Sequence, residues 1–259
     1  MSTRPLIVIV GVGNGSGTGG ATARVFAKAG YRVALIARGA DKLKKVADDV
    51  VAIASGAEVA TFPIESYSFK ALTDVFNAIR SYSWPSGGRT EIRVALYNAG
   101  AGVRKSFLDV SEKDIQVVVD ANINGAFGFS HQVIKEFKKN EIDAKGKRGT
   151  LIFTGATASI RGNVTTSIFS AGKHALRALS QSLNKEFGKE NIHVAHSIID
   201  GAILTDTQLS RQEDANEFSS NPNIRLDPAS IATGYLYLAN QDRSAWTWEL
   251  DLRPAHEKW

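Results

Sequence analysis

The sequence predicts an α/β fold, in which a doubly wound parallel β-sheet carries helices on both faces. Three observations predict it: short apolar runs alternate with longer helical segments, a glycine-rich stretch follows the first run, and no linker or internal repeat interrupts the alternation. Strands that alternate with helices form parallel sheets, because each crossover helix returns the chain to the same edge. With 259 residues, the chain is expected to form one domain over residues 1–259.

The individual elements follow from periodicity and composition. Leu6–Val10 is continuous, apolar and β-branched, which is typical of a strand buried on both faces. Residues 203–226 are polar and are predicted to be irregular; a loop of this length in a compact domain usually has a function, so we expect a substrate lid there. Further strands are predicted at 31–37, 58–62, 92–97, 149–154, 192–199 and 246–252, and helices at 21–28, 40–55, 68–82, 111–139, 167–187 and from 227.

The glycine-rich stretch Gly11–Gly20 lies between a predicted strand and a predicted helix. That context is the one in which a glycine loop binds a dinucleotide. Residues without a Cβ let backbone N–H groups approach a pyrophosphate at the N-terminus of a helix. The sequence therefore predicts a dinucleotide cofactor on a Rossmann-like sheet.

The end of the second predicted strand indicates which dinucleotide binds. An acidic residue there would bind the free ribose 2′-hydroxyl of NAD, but the chain has Ala37 followed by Arg38. A guanidinium pairs with a phosphate through two parallel hydrogen bonds, so Arg38 favours NADP(H). The alternative is a solvated arginine at the end of a strand.

Composition excludes several other classes of function. There is no cysteine, which excludes disulfides and thiolate metal sites and fits a cytoplasmic location. The net charge of +5 comes from scattered lysines and arginines without interleaved aromatic residues, so no nucleic-acid partner is expected. The five histidines lack the spacing of metal ligands, and Leu6–Val10 is far too short to span a bilayer, so neither a metal nor a membrane partner is expected.

These motifs and their order resemble the short-chain dehydrogenase/reductase family over nearly the whole chain. Gly13–Gly19 is similar to the family's G-x-x-x-G-x-G cofactor loop, and Asn98–Gly100 to the N-A-G motif that supports the sheet beneath the cofactor. Lys173 falls on the lysine that binds the nicotinamide ribose, and Gly201 and Thr205 on the segment that contacts the nicotinamide. The resemblance thus implies a cofactor site made of Gly13, Gly15, Ser16, Gly17, Thr18, Gly19, Arg38, Asn98, Ala99, Gly100, Lys173, Gly201 and Thr205.

The departures from the family pattern concern the reaction. The family's tyrosine, four residues before the lysine, is Phe169 here, and its serine, thirteen residues earlier, is Ala156. In such enzymes the tyrosine protonates the substrate oxygen and the serine holds it, so neither role is carried over. The chain looks like a divergent branch, found in bacteria and fungi, that often lacks the tyrosine; some fungal members reduce iminium species in alkaloid biosynthesis.

Three interpretations of the missing hydroxyls remain open. The first is an NADPH-dependent reductase of a pre-activated small molecule, an iminium or imine carbon or a conjugated C=X bond, with Ala156 and Phe169 lining the substrate pocket. The second is a carbonyl reductase with a substitute acid. The third is a non-redox NADP-binding protein, cyclase or isomerase. Candidates for the substitute acid are Thr157, Ser159, Thr166, Ser170, Tyr97, His196 and Asp200.

The remaining candidates come from the resemblance. Lys173 is the first candidate catalytic residue, and Asn122 the second, because it falls on the asparagine that holds a water in the family's proton relay. Asp200 is the third, since it replaces a proline near the nicotinamide and could be a tuned acid. The resemblance also implies a homodimer or homotetramer built from the long helices after the fourth and fifth strands.

Overall fold

The computed structural model describes residues 4–258, so residues 1–3 and 259, at the ends of the predicted domain, lie outside the described residues. The strands are β1 Arg4–Val10, β2 Arg32–Ala37, β3 Val59–Pro63, β4 Thr90–Tyr97, β5 Gly149–Thr154, β6 Ile192–Ile199 and β7 Glu249–Leu252. The α-helices are α1 Thr18–Lys28, α2 Ala40–Ile53, α3 Phe69–Ser81, α4 Glu112–Val119, α5 Gly125–Phe137, α6 Ser167–Phe187, α7 Asp206–Leu209, α8 Ala215–Ser220 and α9 Pro228–Asn240.

All seven strands form one parallel sheet, in the order β3-β2-β1-β4-β5-β6-β7. The predicted doubly wound α/β fold is confirmed. The winding reverses between β1 and β4, where the two strands pair from Arg4 with Thr90 to Val10 with Tyr97. In such sheets the crevice at the carboxyl ends of the reversing strands is where ligands bind.

Each face of the sheet has its own apolar layer. One face packs on α3, α5 and α6 through buried side chains such as Phe76, Phe129 and Leu176. The other packs on α1, α2 and α9, with Phe26 and Tyr235 fully enclosed. Because both faces of these strands are covered, Leu6–Val10 of β1 and Val33–Ala37 of β2 are continuously apolar and buried. No helix among residues 4–258 is long and apolar enough to cross a membrane.

The predicted helix over residues 111–139 is wrong as a single element. It is two α-helices, α4 and α5, joined by a π-turn at Asp120–Asn124. The wider turn frees the carbonyl of Ala121, which accepts a hydrogen bond from the buried hydroxyl of Tyr97. A capping box opens α4: Ser111 Oγ accepts from the Asp114 amide at 3.2 Å, and the Asp114 carboxylate accepts from the Ser111 amide at 2.9 Å.

The predicted irregular structure of residues 203–226 is also wrong in part, because the segment contains α7 and α8. Thr205 caps α7 by accepting from the Gln208 amide at 3.1 Å, and Asp214 caps α8 by accepting from the Glu217 amide at 2.8 Å. A parallel bridge between Ile203 and Leu226 brings the two ends of the segment together. Residues 203–226 therefore leave the sheet and return to it at neighbouring positions.

Candidate functional site

The glycine loop between β1 and α1 is packed so closely that side chains are excluded. A Cβ on Gly11, whose φ is +93°, would overlap the backbone of Ala99. A Cβ on Gly20 would overlap the carbonyl of Gly15, and one on Gly19 the carbonyl of Gly11. The loop is thereby folded back onto the start of α1.

The N-terminus of α1 is suited to an anion. Its N-cap is Gly17, which makes no side-chain cap, and the first turn contains no acidic residue. The first backbone N–H groups of a helix have no intrahelical acceptor and lie at the positive end of its dipole. A phosphate group next to Gly17, Thr18 and Gly19 would meet those donors without a competing carboxylate from the helix itself.

Asn98 fixes the floor of the crevice. Its amide nitrogen donates to the carbonyl of Gly11 at 2.6 Å, and its amide oxygen accepts from Thr154 Oγ1 at 2.8 Å. The Thr154 hydroxyl also lies 2.9 Å from the hydroxyl of the buried Tyr235. The segments that follow β1, β4 and β5 are thus held by one side chain, and Asn98, Ala99 and Gly100 lie at the switch point, where the sequence placed them.

Lys173 lies beneath the crevice on α6. The residue is only 7% exposed, and its ammonium donates to the carbonyl of Thr154 at 2.8 Å. Burial disfavours the charged form and lowers the pKa of Lys173 to about 8. A Cβ on Gly100 would lie 3.5 Å from Lys173 Nζ, so the glycine leaves the space above the amine open.

Asn122 forms hydrogen bonds with the backbone of Ala101. It lies in the π-turn, 1% exposed, where its side-chain oxygen accepts from the Ala101 amide at 2.8 Å and its nitrogen donates to the Ala101 carbonyl at 3.2 Å. A Cβ on Gly172 would lie 2.7 Å from the same nitrogen. The Asn122 side chain therefore holds the segment after β4 against α6, beside Lys173.

Ala156 and Phe169 are both apolar and half-buried. Ala156 is half-buried in the turn after β5, and its amide donates to Ser159 Oγ at 3.0 Å. Phe169 is half-buried in the first turn of α6, and its ring lies 3.5 Å from where a Cβ on Gly102 would be. Neither residue carries a hydroxyl, so the two family roles have no occupant at these positions.

The nearby hydroxyls are engaged elsewhere. Thr157 Oγ1 donates to the carboxylate of Asp200, and the Tyr97 hydroxyl donates to the Ala121 carbonyl. Thr166 Oγ1 donates to the Asn163 carbonyl at 2.8 Å and lies 3.0 Å from the hydroxyl of Ser170. Each hydroxyl has one proton, so Thr157, Tyr97 and Thr166 have already committed theirs to an acceptor within the protein.

Asp200 is held in a buried polar cluster. It is 1% exposed, its amide donates to the Leu252 carbonyl at 2.9 Å, and its carboxylate lies 3.4 Å from the Arg253 guanidinium and 4.0 Å from that of Arg161. Both guanidinium groups therefore lie within ion-pair distance of the carboxylate. Together with the bond from Thr157, this environment makes Asp200 an acceptor that joins the ends of β6 and β7.

His196 is buried beneath the same region. Its Nδ1 lies 3.0 Å from the carboxylate of Glu249, which Arg177 also contacts at 2.6 Å. Burial lowers the pKa of His196 to about 4, so the ring is neutral at pH 7. A carboxylate can only accept, so Nδ1 carries the proton, and Nε2 faces Gly155.

The predicted lid contacts the glycine loop. Asn14 Nδ2 donates to the carboxylate of Asp206 at 2.8 Å, and the Asp206 amide donates to Ser16 Oγ at 3.2 Å. The methyl group of Thr205 lies 3.3 Å from where a Cβ on Gly17 would be. Thr205 therefore lies next to the predicted phosphate site. Sequence reasoning missed Asn14 and Asp206, because no local motif links them.

The base of the lid contacts the C-terminal segment. Gly201 has a φ of +137°, and a Cβ there would lie 2.9 Å from Pro254, so glycine is required both by conformation and by space. The His256 amide donates to the carbonyl of Asn223, inside the lid, at 2.9 Å. The segment after β7 thus supports the lid at two points.

Arg38 lies at the carboxyl end of β2, on the same edge of the sheet as the glycine loop, and its side chain is exposed. Its guanidinium carbon lies 5.2 Å from the centre of the Tyr67 ring. Tyr67 is a third residue that sequence reasoning missed. No cluster of three or more potential metal ligands occurs within residues 4–258.

Known proteins resemble this chain in sequence and in fold. The family model for short chain dehydrogenases matches residues 6–216. An uncharacterized short-chain type dehydrogenase/reductase of Sinorhizobium fredii is 28% identical over 250 residues, which is 92% of this chain and 91% of that protein. The mouse peroxisomal 2,4-dienoyl-CoA reductase is 30% identical over 239 residues, 88% of this chain and 75% of that protein. The structure of an alcohol dehydrogenase from Thermococcus sibiricus, complexed with 5-hydroxy-NADP, superposes with a TM-score of 0.80 at 22% identity, covering 100% of this chain and 99% of that one.

Proposed function

Because this chain belongs to the short-chain dehydrogenase family, we propose that it is an NADP(H)-dependent reductase of a small molecule whose acceptor carbon is already activated. That acceptor is an iminium or imine carbon, or a conjugated double bond. The observation that carries the proposal is the pairing of a complete dinucleotide site with the apolar residues Ala156 and Phe169 at both hydroxyl positions.

The chain's residues fit the cofactor part by part. The start of α1 takes the pyrophosphate, because its first N–H groups have no side-chain cap and its first turn contains no acidic residue. Arg38 takes the 2′-phosphate, and Lys173 takes the hydroxyls of the nicotinamide ribose through the open space at Gly100. Thr205 and Gly201 lie along the nicotinamide half. When bound, NADPH supplies the hydride. Support for the 2′-phosphate also comes from the NADP analogue bound in the Thermococcus structure.

The missing hydroxyls determine which acceptor is reduced. A positioned general acid contributes about 10²–10⁴ in rate, and a donor to a developing oxyanion about 10²–10³. A neutral ketone would lose both contributions at Ala156 and Phe169. A cationic C=N carbon needs no proton on oxygen, and a conjugated acceptor spreads the developing charge. The ring of Phe169 would also make a favourable cation–π contact with a planar cation.

The engaged hydroxyls argue against the carbonyl-reductase alternative. Thr157 donates to Asp200, Thr166 to Asn163, and Tyr97 to Ala121, so a substrate oxygen would have to displace a bond within the protein. Asp200 is 1% exposed, lies within 4.0 Å of two guanidinium groups and already accepts a hydrogen bond from Thr157. One relative favours the conjugated form of the acceptor, since its name describes reduction of a dienoyl thioester.

Two features of the wider molecule belong to the proposal. Residues 203–226 act as a lid over the pocket, because their ends are joined at Ile203 and Leu226 and their first helix rests on the glycine loop. The active form is a homodimer or homotetramer, with α4, α5 and α6 in the interface. Val117 and Phe127 on these helices are 44% and 53% exposed, which supports that surface.

The proposal is tested by following NADPH oxidation by the purified protein with three matched panels: N-alkylated cyclic iminium ions, conjugated enones or enoyl thioesters, and simple ketones. Turnover is expected with at least one of the first two panels and not with simple ketones. Turnover of ketones at comparable kcat/KM would support a substitute acid instead. Binding of NADPH without oxidation by any panel would support the non-redox interpretation.

A further inference from the structure

Arg38, a predicted cofactor residue, contacts Tyr67, which belongs to none of the sequence motifs of the cofactor site. Arg38 lies at the carboxyl end of β2, and Tyr67 lies between β3 and α3. The guanidinium carbon is 5.2 Å from the ring centre, within the range of a cation–π contact. No acidic side chain among residues 4–258 forms an ion pair with Arg38. The tyrosine ring is therefore what holds an otherwise exposed cation.

Tyr67 is itself firmly placed. It is half-buried and packs against the apolar layer that contains Phe76 and Phe129. A Cβ on Gly125 would lie 2.8 Å from the Cβ of Tyr67, so the ring stands directly against the start of α5. Burial raises the pKa of Tyr67, which keeps the phenol neutral, although Arg38 opposes the shift. The ring is a fixed platform.

The contact with Tyr67 leaves most of the guanidinium donors available. A guanidinium carries five N–H donors, so a contact with one tyrosine still leaves a pair of them for phosphate oxygens. A flexible exposed arginine loses side-chain entropy when it binds a phosphate, and a stacked one has already lost part of it. NADH has no 2′-phosphate, so holding Arg38 in place cannot strengthen its binding through this contact.

We infer that Tyr67 is a specificity-determining residue for the cofactor, which positions Arg38 for the 2′-phosphate and so favours NADPH over NADH. The inference rests on the proposed NADP(H) site and adds a residue to it. Tyr67 acts through Arg38 and is a positioning residue.

The test is the ratio of the dissociation constants for NADH and NADPH, measured by titration with the purified full chain. Tyr67→Leu should weaken NADPH binding about five-fold and leave NADH binding unchanged, so the ratio falls about five-fold. Tyr67→Phe keeps the ring and should keep the ratio. Tyr82→Leu is the matched control, because Tyr82 is also partly exposed and packs on Phe62 and Trp84, away from Arg38.

A second substitution makes the test independent of the folding of the Tyr67 variants. Arg38→Lys keeps the charge but not the planar group, and should lower the ratio in the presence of Tyr67 and have little further effect in Tyr67→Leu. Equal weakening of NADPH and NADH in Tyr67→Leu, or an unchanged ratio, would overturn the inference. A wild-type chain that binds neither cofactor would instead refute the proposed function, so the two failures are distinct.

Discussion

Asn14 of the glycine loop donates a 2.8 Å hydrogen bond to the carboxylate of Asp206 at the start of α7. The bond joins the proposed lid to the proposed phosphate site, and the Asp206 amide makes a second link, to Ser16. It also places a negative charge at the edge of the loop that would receive a pyrophosphate. A bound pyrophosphate would compete with this carboxylate, because two negative charges would lie at the same edge of the loop.

The first prediction follows from this competition. Asp206→Asn keeps an oxygen that can accept from Asn14 but removes the charge, so the dissociation constant for NADPH should fall about three-fold, as expected for a partly exposed charge. Isothermal titration at two salt concentrations measures it, and the gain should shrink at the higher one. Asp214→Asn, at the cap of α8 in the same segment, is the control and should leave the constant unchanged. Weaker NADPH binding by Asp206→Asn would show that the carboxylate supports the loop.

The second prediction concerns the missing hydroxyls. The double change Ala156→Ser with Phe169→Tyr restores an acid and an oxygen donor above Lys173, so kcat/KM for simple ketones should rise about 10²-fold or more. Steady-state NADPH oxidation measures the gain. Phe107→Tyr adds a phenol at a residue that is 75% exposed and should change nothing. If the double variant binds NADPH and gains no ketone reduction, the pocket differs from the family's by more than two atoms.

The third prediction uses the pKa of Lys173. Burial lowers it to about 8, so the amine changes from mostly charged to mostly neutral as pH rises through about 8. An ammonium repels a permanently cationic iminium and stabilises the enolate formed from a neutral enone. With rising pH, kcat/KM should therefore increase for the iminium and decrease for the enone. Opposite pH dependences of kcat/KM for the two substrates would show that the change near pH 8 comes from a charged group beside the acceptor carbon.

A second buried lysine provides the control for that series. Burial also lowers the pKa of Lys147 to about 8, but its ammonium donates to the Ala239 carbonyl at 2.6 Å, near the amino end of β5. Lys147→Met should keep both slopes. Loss of the pH dependence of kcat/KM in this variant would mean that the change near pH 8 reflects the stability of the fold and not the chemistry of the pocket.

The fourth prediction concerns acid stability. Burial lowers the pKa of His193 and of His196 to about 4, below the ordinary value of 6.5. Between these values the unfolded chain binds more protons, so the free energy of unfolding should fall as pH drops from 6.5 towards 4, by up to about 1.4 kcal/mol per pH unit for each histidine. Urea unfolding across this range measures the slope.

His196→Asn separates the contribution of one ring. The asparagine amide can still donate to Glu249, but it does not titrate, so the pH dependence should become shallower by about one proton. His131→Asn, at an exposed ring beside Phe69, should keep the wild-type slope. An unchanged slope in His196→Asn would mean that His196 is not the group that takes up the proton.

Local patterns were enough to predict most of the fold. The strands β1, β5 and β6 are rich in apolar residues because both of their faces are covered, and the glycine loop is short and contiguous. The π-turn at Asp120–Asn124 was not predictable in the same way, because it depends on a hydroxyl that reaches it from Tyr97 on another element. The short helices α7 and α8 could have been predicted from their N-cap residues, Thr205 and Asp214. The overall polarity of the segment predicted an irregular loop instead.

Some residues of the candidate site can likewise be predicted from local motifs, and others cannot. Lys173 and Asn98 belong to motifs whose members are close in sequence, and they lie where the sequence placed them. Asn14 and Asp206 are 192 residues apart, and only the folded sheet brings them together. The polar partners of Asp200 depend likewise on Arg253, beyond the last strand.

The contact between the C-terminal segment and the lid links two motions. Gly201 packs on Pro254, and the His256 amide is bonded to Asn223, so the lid cannot leave the sheet while residues 253–257 keep these contacts. Opening of the lid and fraying of the C-terminal segment then form one cooperative unit. Amide protons in the two segments are expected to exchange with solvent at the same opening free energy, although they lie on opposite sides of the last helix and strand in the sequence.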